Sequence, residues 1–93
     1  MKIYLKVFGP LKNYFKSDKI EFEIQLKDIN LTDLFNEIDN RFKERIPERY
    51  WDHKEKKFKN NVMLMTKNKA IQNLNIPLKN EQTIIAITIT TGG

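Results

Sequence analysis

The chain has no cysteine. That excludes disulfides, thiolate nucleophiles, cysteine-based zinc sites and any side chain able to carry a persulfide. The one histidine, His53, has no Cys, His or carboxylate partner at ligand spacing, so it reads as a solvated surface residue. Three glycines are present, and none belongs to a phosphate-cradling loop. No apolar run approaches the ~18 residues of a membrane span. The Met1-Lys2-Ile3 start also lacks the apolar core of a signal peptide, so a cytoplasmic protein without membrane contact is expected. With no Cys, a single His, no phosphate-binding glycine loop and no carboxylate pair placed by pattern, autonomous catalysis is the reading least favoured.

What is present fits one domain spanning residues 1–93, with a flexible tail from about 90 to 93. The formal charge is +5, from 17 Lys and Arg against 12 Asp and Glu. The basic residues alternate with acids in most segments, so the charge reads as spread over the surface, and nucleic-acid binding is a secondary reading.

Residues Lys2 to Phe8 alternate as a strand, with Ile3, Leu5 and Val7 on one face and Tyr4, Lys6 and Phe8 on the other. Gly9-Pro10 interrupts the run and opens a loop through Leu11 to Phe15. Ile20, Phe22, Ile24 and Leu26 alternate with Glu21, Glu23 and Gln25, which predicts a second, half-buried strand paired antiparallel to the first. Asn30 as N-cap with Asp33 three residues on starts a helix whose apolar stripe is Leu31, Leu34, Phe35, Ile38, Phe42 and Ile46. Asp39 falls mostly off that stripe, and Pro47 sets the end near Arg45.

Residues 47 to 61 show no clear period; 52 to 59 reads as an exposed loop or short helical turn, with Tyr50, Trp51 and Phe58 capping the end of the core. Val62 to Thr66 is a short buried strand with its two methionines as core filler, and Lys67-Asn68-Lys69 turns it back toward Ala70-Ile71. A loop through Ile76-Pro77-Leu78 leads into a final β-branched strand from Thr83 to Thr90, followed by Thr91-Gly92-Gly93. The order places first and last strands parallel at the centre of the sheet. The expected fold is therefore α+β, a β-grasp: a mixed sheet packed on one main helix.

On these elements the chain resembles the ubiquitin-like sulfur carriers of the MoaD/ThiS family, most closely the small subunit of molybdopterin synthase. The matching stretches are Phe8-Gly9-Pro10-Leu11-Lys12 after the first strand, Leu31-Thr32-Asp33-Leu34 at the helix start, and Ile76-Pro77-Leu78 followed by the last strand and Gly92-Gly93. The segment from 47 to 61 is long for a minimal member. The resemblance implies a non-catalytic carrier that binds no cofactor of its own. An E1-like adenylating enzyme would use ATP and Mg²⁺ to adenylate the Gly93 carboxylate, Gly92 serving as slim tether. A sulfur donor protein would convert the adduct to a thiocarboxylate. The large subunit of molybdopterin synthase would then consume the sulfur in molybdenum cofactor biosynthesis.

A carrier of this kind needs a docking surface. If Ile84 and Ala86 face the helix, Ile85, Ile87 and Ile89 emerge on the open face beside Tyr4 and Phe8, with Lys12 close by. The opposite phase would make those isoleucines core. Two further readings stay open: a ubiquitin-like protein modifier or a carrier for tRNA thiolation or thiamine synthesis, and a basic RNA-binding module.

Overall fold

Period-two alternation builds the sheet, and a capped amphipathic helix closes it. The computed structural model describes residues 1–89. In chain order the elements are β1 (Lys2–Phe8), α1 (Leu11–Phe15), β2 (Lys19–Glu23), β3 (Ile29–Asn30), α2 (Leu31–Phe42) and β4 (Trp51–Asp52). They continue with β5 (Lys57–Phe58), β6 (Val62–Thr66), β7 (Lys69–Ala70), β8 (Pro77–Leu78) and β9 (Gln82–Thr88). The main sheet runs β2-β1-β9-β6-β7. Its central pair, β1 and β9, is parallel, and every other pairing in it is antiparallel. This is the expected β-grasp.

Ile3, Leu5 and Val7 of β1, Ile84 and Ala86 of β9 and Leu31, Leu34 and Ile38 of α2 are all fully buried. The helix covers one face of the sheet and leaves the other open. Its start is secured by the expected capping box: Asp33 N–H donates to Asn30 Oδ1 (3.1 Å) and Asn30 N–H to Asp33 Oδ2 (2.9 Å). The loop before β8 supplies two more acceptors, Ile76 O for Leu31 N–H and Leu74 O for Thr32 N–H. All four N–H donors of the helix start, from Asn30 to Asp33, thus find partners. Asn30→Ala is expected to cost about 1 kcal/mol and lower the melting midpoint by roughly 4–8 °C in a thermal scan.

Several elements differ from expectation, each for a local reason. The loop after Gly9-Pro10 is a short helix, pinned by buried Leu11 and Phe15 one turn apart and ended by Lys16 at φ 58°. The second strand stops at Glu23. Ile24 still bonds Met1 in both directions and is buried, but there the ladder with β1 runs out, and Leu26 is 52% exposed. Helix α2 ends at Phe42. Arg45 and Ile46 N–H both turn back onto Phe42 O, which still carries Ile46 into the core. Residues 76–78, read as loop, include β8, paired with β3.

The largest difference is in residues 47–61. Where 52–59 reads as an exposed loop or short helical turn, β4 and β5 form a hairpin pairing Trp51 with Phe58, and both of these aromatics join the core as expected. Trp51 is fully buried, and it meets Phe58 at 4.8 Å and Phe35 at 5.5 Å, both edge-on. Its Nε1–H donates to Asp39 Oδ1 at 3.0 Å, so Asp39 is buried rather than solvated. Asp52 holds the hairpin turn by accepting from the N–H groups of Glu55 (2.9 Å) and Lys54 (3.0 Å). The Glu55 bond is the chief reason its carboxyl lies below the ordinary range. Any stability this adds is present at neutral pH and lost as acid protonates the folded carboxyl.

Candidate functional site

Because partners in a ladder share a face, the register identifies the uncovered side of the sheet. Phe8 pairs with Ile87, which pairs across with Met63. The next row is Lys6, Ile85 and Met65. Ile89 follows beyond the end of β9 and is 44% exposed. Ile84 and Ala86 alternate with these isoleucines and are sealed under the helix, so the open-face phase is the one adopted. Phe8, Ile85, Ile87, Met63 and Met65 are each half-buried and share the open face along the tail-proximal half of β9 and the facing part of β6 as an apolar stripe.

Sequence reasoning placed the two methionines in the core. Their alternation with buried Val62 and Leu64 was the signal that separates them: β6 has one inner and one outer face like any other strand. Tyr4 shares the open face but lies off the stripe, opposite Thr83, with Lys6 between it and Phe8. Lysines cover these two rings: Lys19 Nζ is 4.6 Å from the Tyr4 centroid and Lys6 Nζ 5.3 Å from that of Phe8. Lys12 is exposed on α1, one turn after Gly9.

The root of the tail is built from three segments. Gly9 has φ +70°, and a Cβ there would stand 2.7 Å from Thr88 Oγ1. Gly9→Ala therefore meets both left-handed backbone strain and a side-chain clash, and is expected to cost about 1–2 kcal/mol in urea unfolding. Adding Thr88→Ala should recover only the clash. On the other side, Ile89 N–H donates to Asn61 O (2.7 Å), and Asn61 Nδ2 donates to Arg49 O (2.9 Å). Arg49 in turn donates to Tyr14 Oη (3.1 Å) and lies over the Tyr50 ring. The hydrogen bond to Tyr14 is the main cause holding the Arg49 guanidinium above its already high ordinary value.

The charge is less evenly spread than composition suggests. Residues 41–59 hold eight Lys and Arg against four Asp and Glu, a net +4 of the chain's +5. Through Asn61 and Lys59, whose N–H donates to Tyr50 O (2.8 Å), that basic segment flanks the tail root. Gly92 and Gly93, with the rest of the expected tail at 90–93, lie outside the described residues. Among the described residues, no helix is long and apolar enough to cross a membrane.

No protein-family model matches the chain, and no curated protein matches it in sequence. Solved structures do. SAMP1 from Haloferax volcanii shares 12% identity at a TM-score of 0.79, with 100% of each chain covered. A putative molybdopterin converting factor subunit 1 from Pyrococcus furiosus shares 17% at 0.72, covering 97% of this chain and 99% of that one. A chain from the complex of molybdopterin-converting factor subunits 1 and 2 from Helicobacter pylori shares 20% at 0.63, with 100% of each covered. At these identities the likeness is one of fold. The resemblance to ubiquitin-like sulfur carriers holds at that level.

Proposed function

We propose that this protein is a sulfur carrier that is not an enzyme on its own and works through the carboxylate of Gly93. The observation that carries the reading is the placement of β9. It lies at the centre of the sheet, lends Ile85 and Ile87 to the open apolar stripe, and leads directly into Thr90-Thr91-Gly92-Gly93. One strand thus joins a docking surface to a slim end. A carboxylate at neutral pH is a resonance-stabilised anion and a poor electrophile. In this reading an E1-like enzyme with MgATP directs a Gly93 oxygen onto the α-phosphorus and pyrophosphate leaves. The terminal sulfur of a persulfide on a donor protein then attacks the acyl carbon and releases AMP, and a thiol cleaves the S–S bond of the resulting acyl disulfide, freeing the thiocarboxylate and leaving a disulfide with the donor. Gly92 and Gly93 lack side chains, so both can pass through a narrow cleft.

The consumer we favour is a molybdopterin synthase large subunit, because one structural neighbour is a converting-factor subunit solved in complex with its second subunit. A second reading, attachment to proteins as a modifier, draws on the fold shared with a small archaeal modifier protein. Both use the same activated end. Incubation with an E1-like enzyme, MgATP and a sulfur donor, followed by alkylation and peptide mass spectrometry, tests the common step. One sulfur replacing one oxygen at Gly93 supports it, and unmodified Gly93 with ATP consumed elsewhere contradicts it. Isopeptide-linked lysines on other proteins would select the modifier reading.

Docking has its own variant. Ile87→Asp places a charge mid-stripe without touching the helix side, so the domain is expected to fold with a melting midpoint lowered by roughly 4–8 °C, for the apolar burial and strand propensity lost. The substitution should weaken binding to the adenylating enzyme by about thirtyfold or more in titration calorimetry. Unaltered affinity would remove the stripe from the interface.

A further inference from the structure

The chain has 14 lysines but only three arginines, Arg41, Arg45 and Arg49, spaced four residues apart. Each is exposed, and each lies over an aromatic ring. The Arg41 guanidinium carbon is 4.7 Å from the Phe22 centroid and 5.1 Å from that of Phe42, and Arg45 shares the Phe42 ring at 5.8 Å. Arg49 is 4.9 Å from the Tyr50 centroid. Arg41 Nη1 also donates to Glu21 O (3.0 Å), as Arg49 does to Tyr14 Oη. Stacking holds a guanidinium in place and leaves its outer donors to solvent. Among the described residues the one ion pair is Lys2 with Glu21, so no carboxylate neutralises any of the three.

Cations at the end of a helix are favoured by its dipole, which accounts for Arg41 and Arg45 but would accept lysine equally. Arg49 lies beyond Pro47, off the helix. What the three share is a place. Phe42 packs on Phe15 of α1 at 4.8 Å, and Tyr14 of α1 is the acceptor for Arg49. Helix α1 follows Gly9, which lies against Thr88, and Arg49 O is tied through Asn61 to Ile89. The arginines thus stand beside α1 at the end of the molecule where β9 leads into the tail, with exposed Lys12 and Lys16 on α1 itself.

We propose that Arg41, Arg45 and Arg49 form a cationic collar that seats on Asp and Glu carboxylates rimming the cleft of the adenylating enzyme. The inference rests on the carrier reading. An end that enters a cleft brings its own root against the rim. Arginines already held over rings meet carboxylates through paired N–H donors at little entropic cost. A second copy of the chain would instead set like charges together.

The test is pyrophosphate release by the adenylating enzyme with MgATP, read as kcat and KM for the carrier across a salt series. Arg45→Gln with Arg49→Gln should raise KM about tenfold at low salt and leave kcat within about twofold. The parent KM should climb with salt while that of the variant stays nearly flat. Arg45→Lys with Arg49→Lys should keep the salt dependence and recover only part of the affinity, because lysine has no fork. Lys67→Gln with Lys79→Gln, beside Gln82 and Thr83 at the far end of β9, should match the parent. Arg45→Gln alone, with its stack on Phe42 to lose, carries the test should the double variant fail to fold. A KM unmoved by the arginine variants, or moved as much by the far-end pair, overturns the inference while the carrier reading stands. No pyrophosphate release with the parent overturns both. Arginine-dependent binding to an RNA hairpin, with KM unchanged, would overturn the inference by assigning the collar to nucleic acid.

Discussion

Removing Gly92 and Gly93 is expected to abolish ATP-dependent sulfur loading while leaving stability within about 0.5 kcal/mol of the intact protein. The described core runs from Ile3 to Ala86, and the glycines lie well past its last member. The two readouts must therefore separate: complete loss in the loading assay, and superimposable urea curves. A second variant tells slimness from charge. Gly92→Val keeps the terminal carboxylate and adds a β-branched side chain. If the end threads a narrow cleft, displacement of the reacting carbon by a fraction of an ångström to an ångström should lower the loading rate about a hundredfold. Loading that survives the deletion would place the chemistry elsewhere on the chain. A deletion that unfolds the protein would contradict the division between body and working end.

Trp51→Ala is the counterpart in the body, expected to destabilise by about 3–5 kcal/mol from lost burial alone. Trp51 is fully enclosed and packs edge-on against Phe35 and Phe58. Its loss also takes the Nε1–H donor from the buried Asp39 carboxylate, a further ~1–3 kcal/mol. A domain of this size starts from only ~5–15 kcal/mol, and the lower end applies here. The variant should melt at least ~15 °C below the parent, and circular dichroism will show whether it folds at ambient temperature. Trp51→Phe keeps an aromatic ring but loses the hydrogen bond and part of the indole's packed volume. Pairing it with Asp39→Leu should restore much of the difference, because removing both polar partners leaves none unsatisfied. A Trp51→Ala midpoint within a few degrees of the parent would return residues 47–61 to the status of an accessory loop.

The sheet and helix were legible because their signals are local and periodic. β1 and β9 alternate over seven residues each, and α2 repeats its stripe over twelve with both halves of its capping box in sequence. Order along the chain then left little choice of topology. What escaped were contacts between distant residues. The Asp39–Trp51 hydrogen bond joins positions twelve apart, and β3 with β8 joins positions almost fifty apart. Neither leaves a pattern in a window of ten residues. A five-residue helix such as α1 is too short to show a period of 3.6, and Leu26 continues an alternation for which β1 offers no partner.

The site divides in the same way. The phase of Ile85, Ile87 and Ile89 could be read from β9 itself, and β1 already supplied enough helix-facing side chains to prefer it. Met63 and Met65 needed the β6–β9 register before their place beside Ile87 and Ile85 was visible. The basic character of residues 41–59 was countable from sequence; what required the fold was that this segment returns to Asn61 beside the tail root.

The measurement that bears most directly on all of this is the intact mass of the protein isolated from the cells that make it. A polypeptide ending at Gly93, with a fraction carrying sulfur in place of one terminal oxygen, is the predicted result. A mature protein that continues past Gly93 and is never trimmed, yet supports growth in full, would contradict the account.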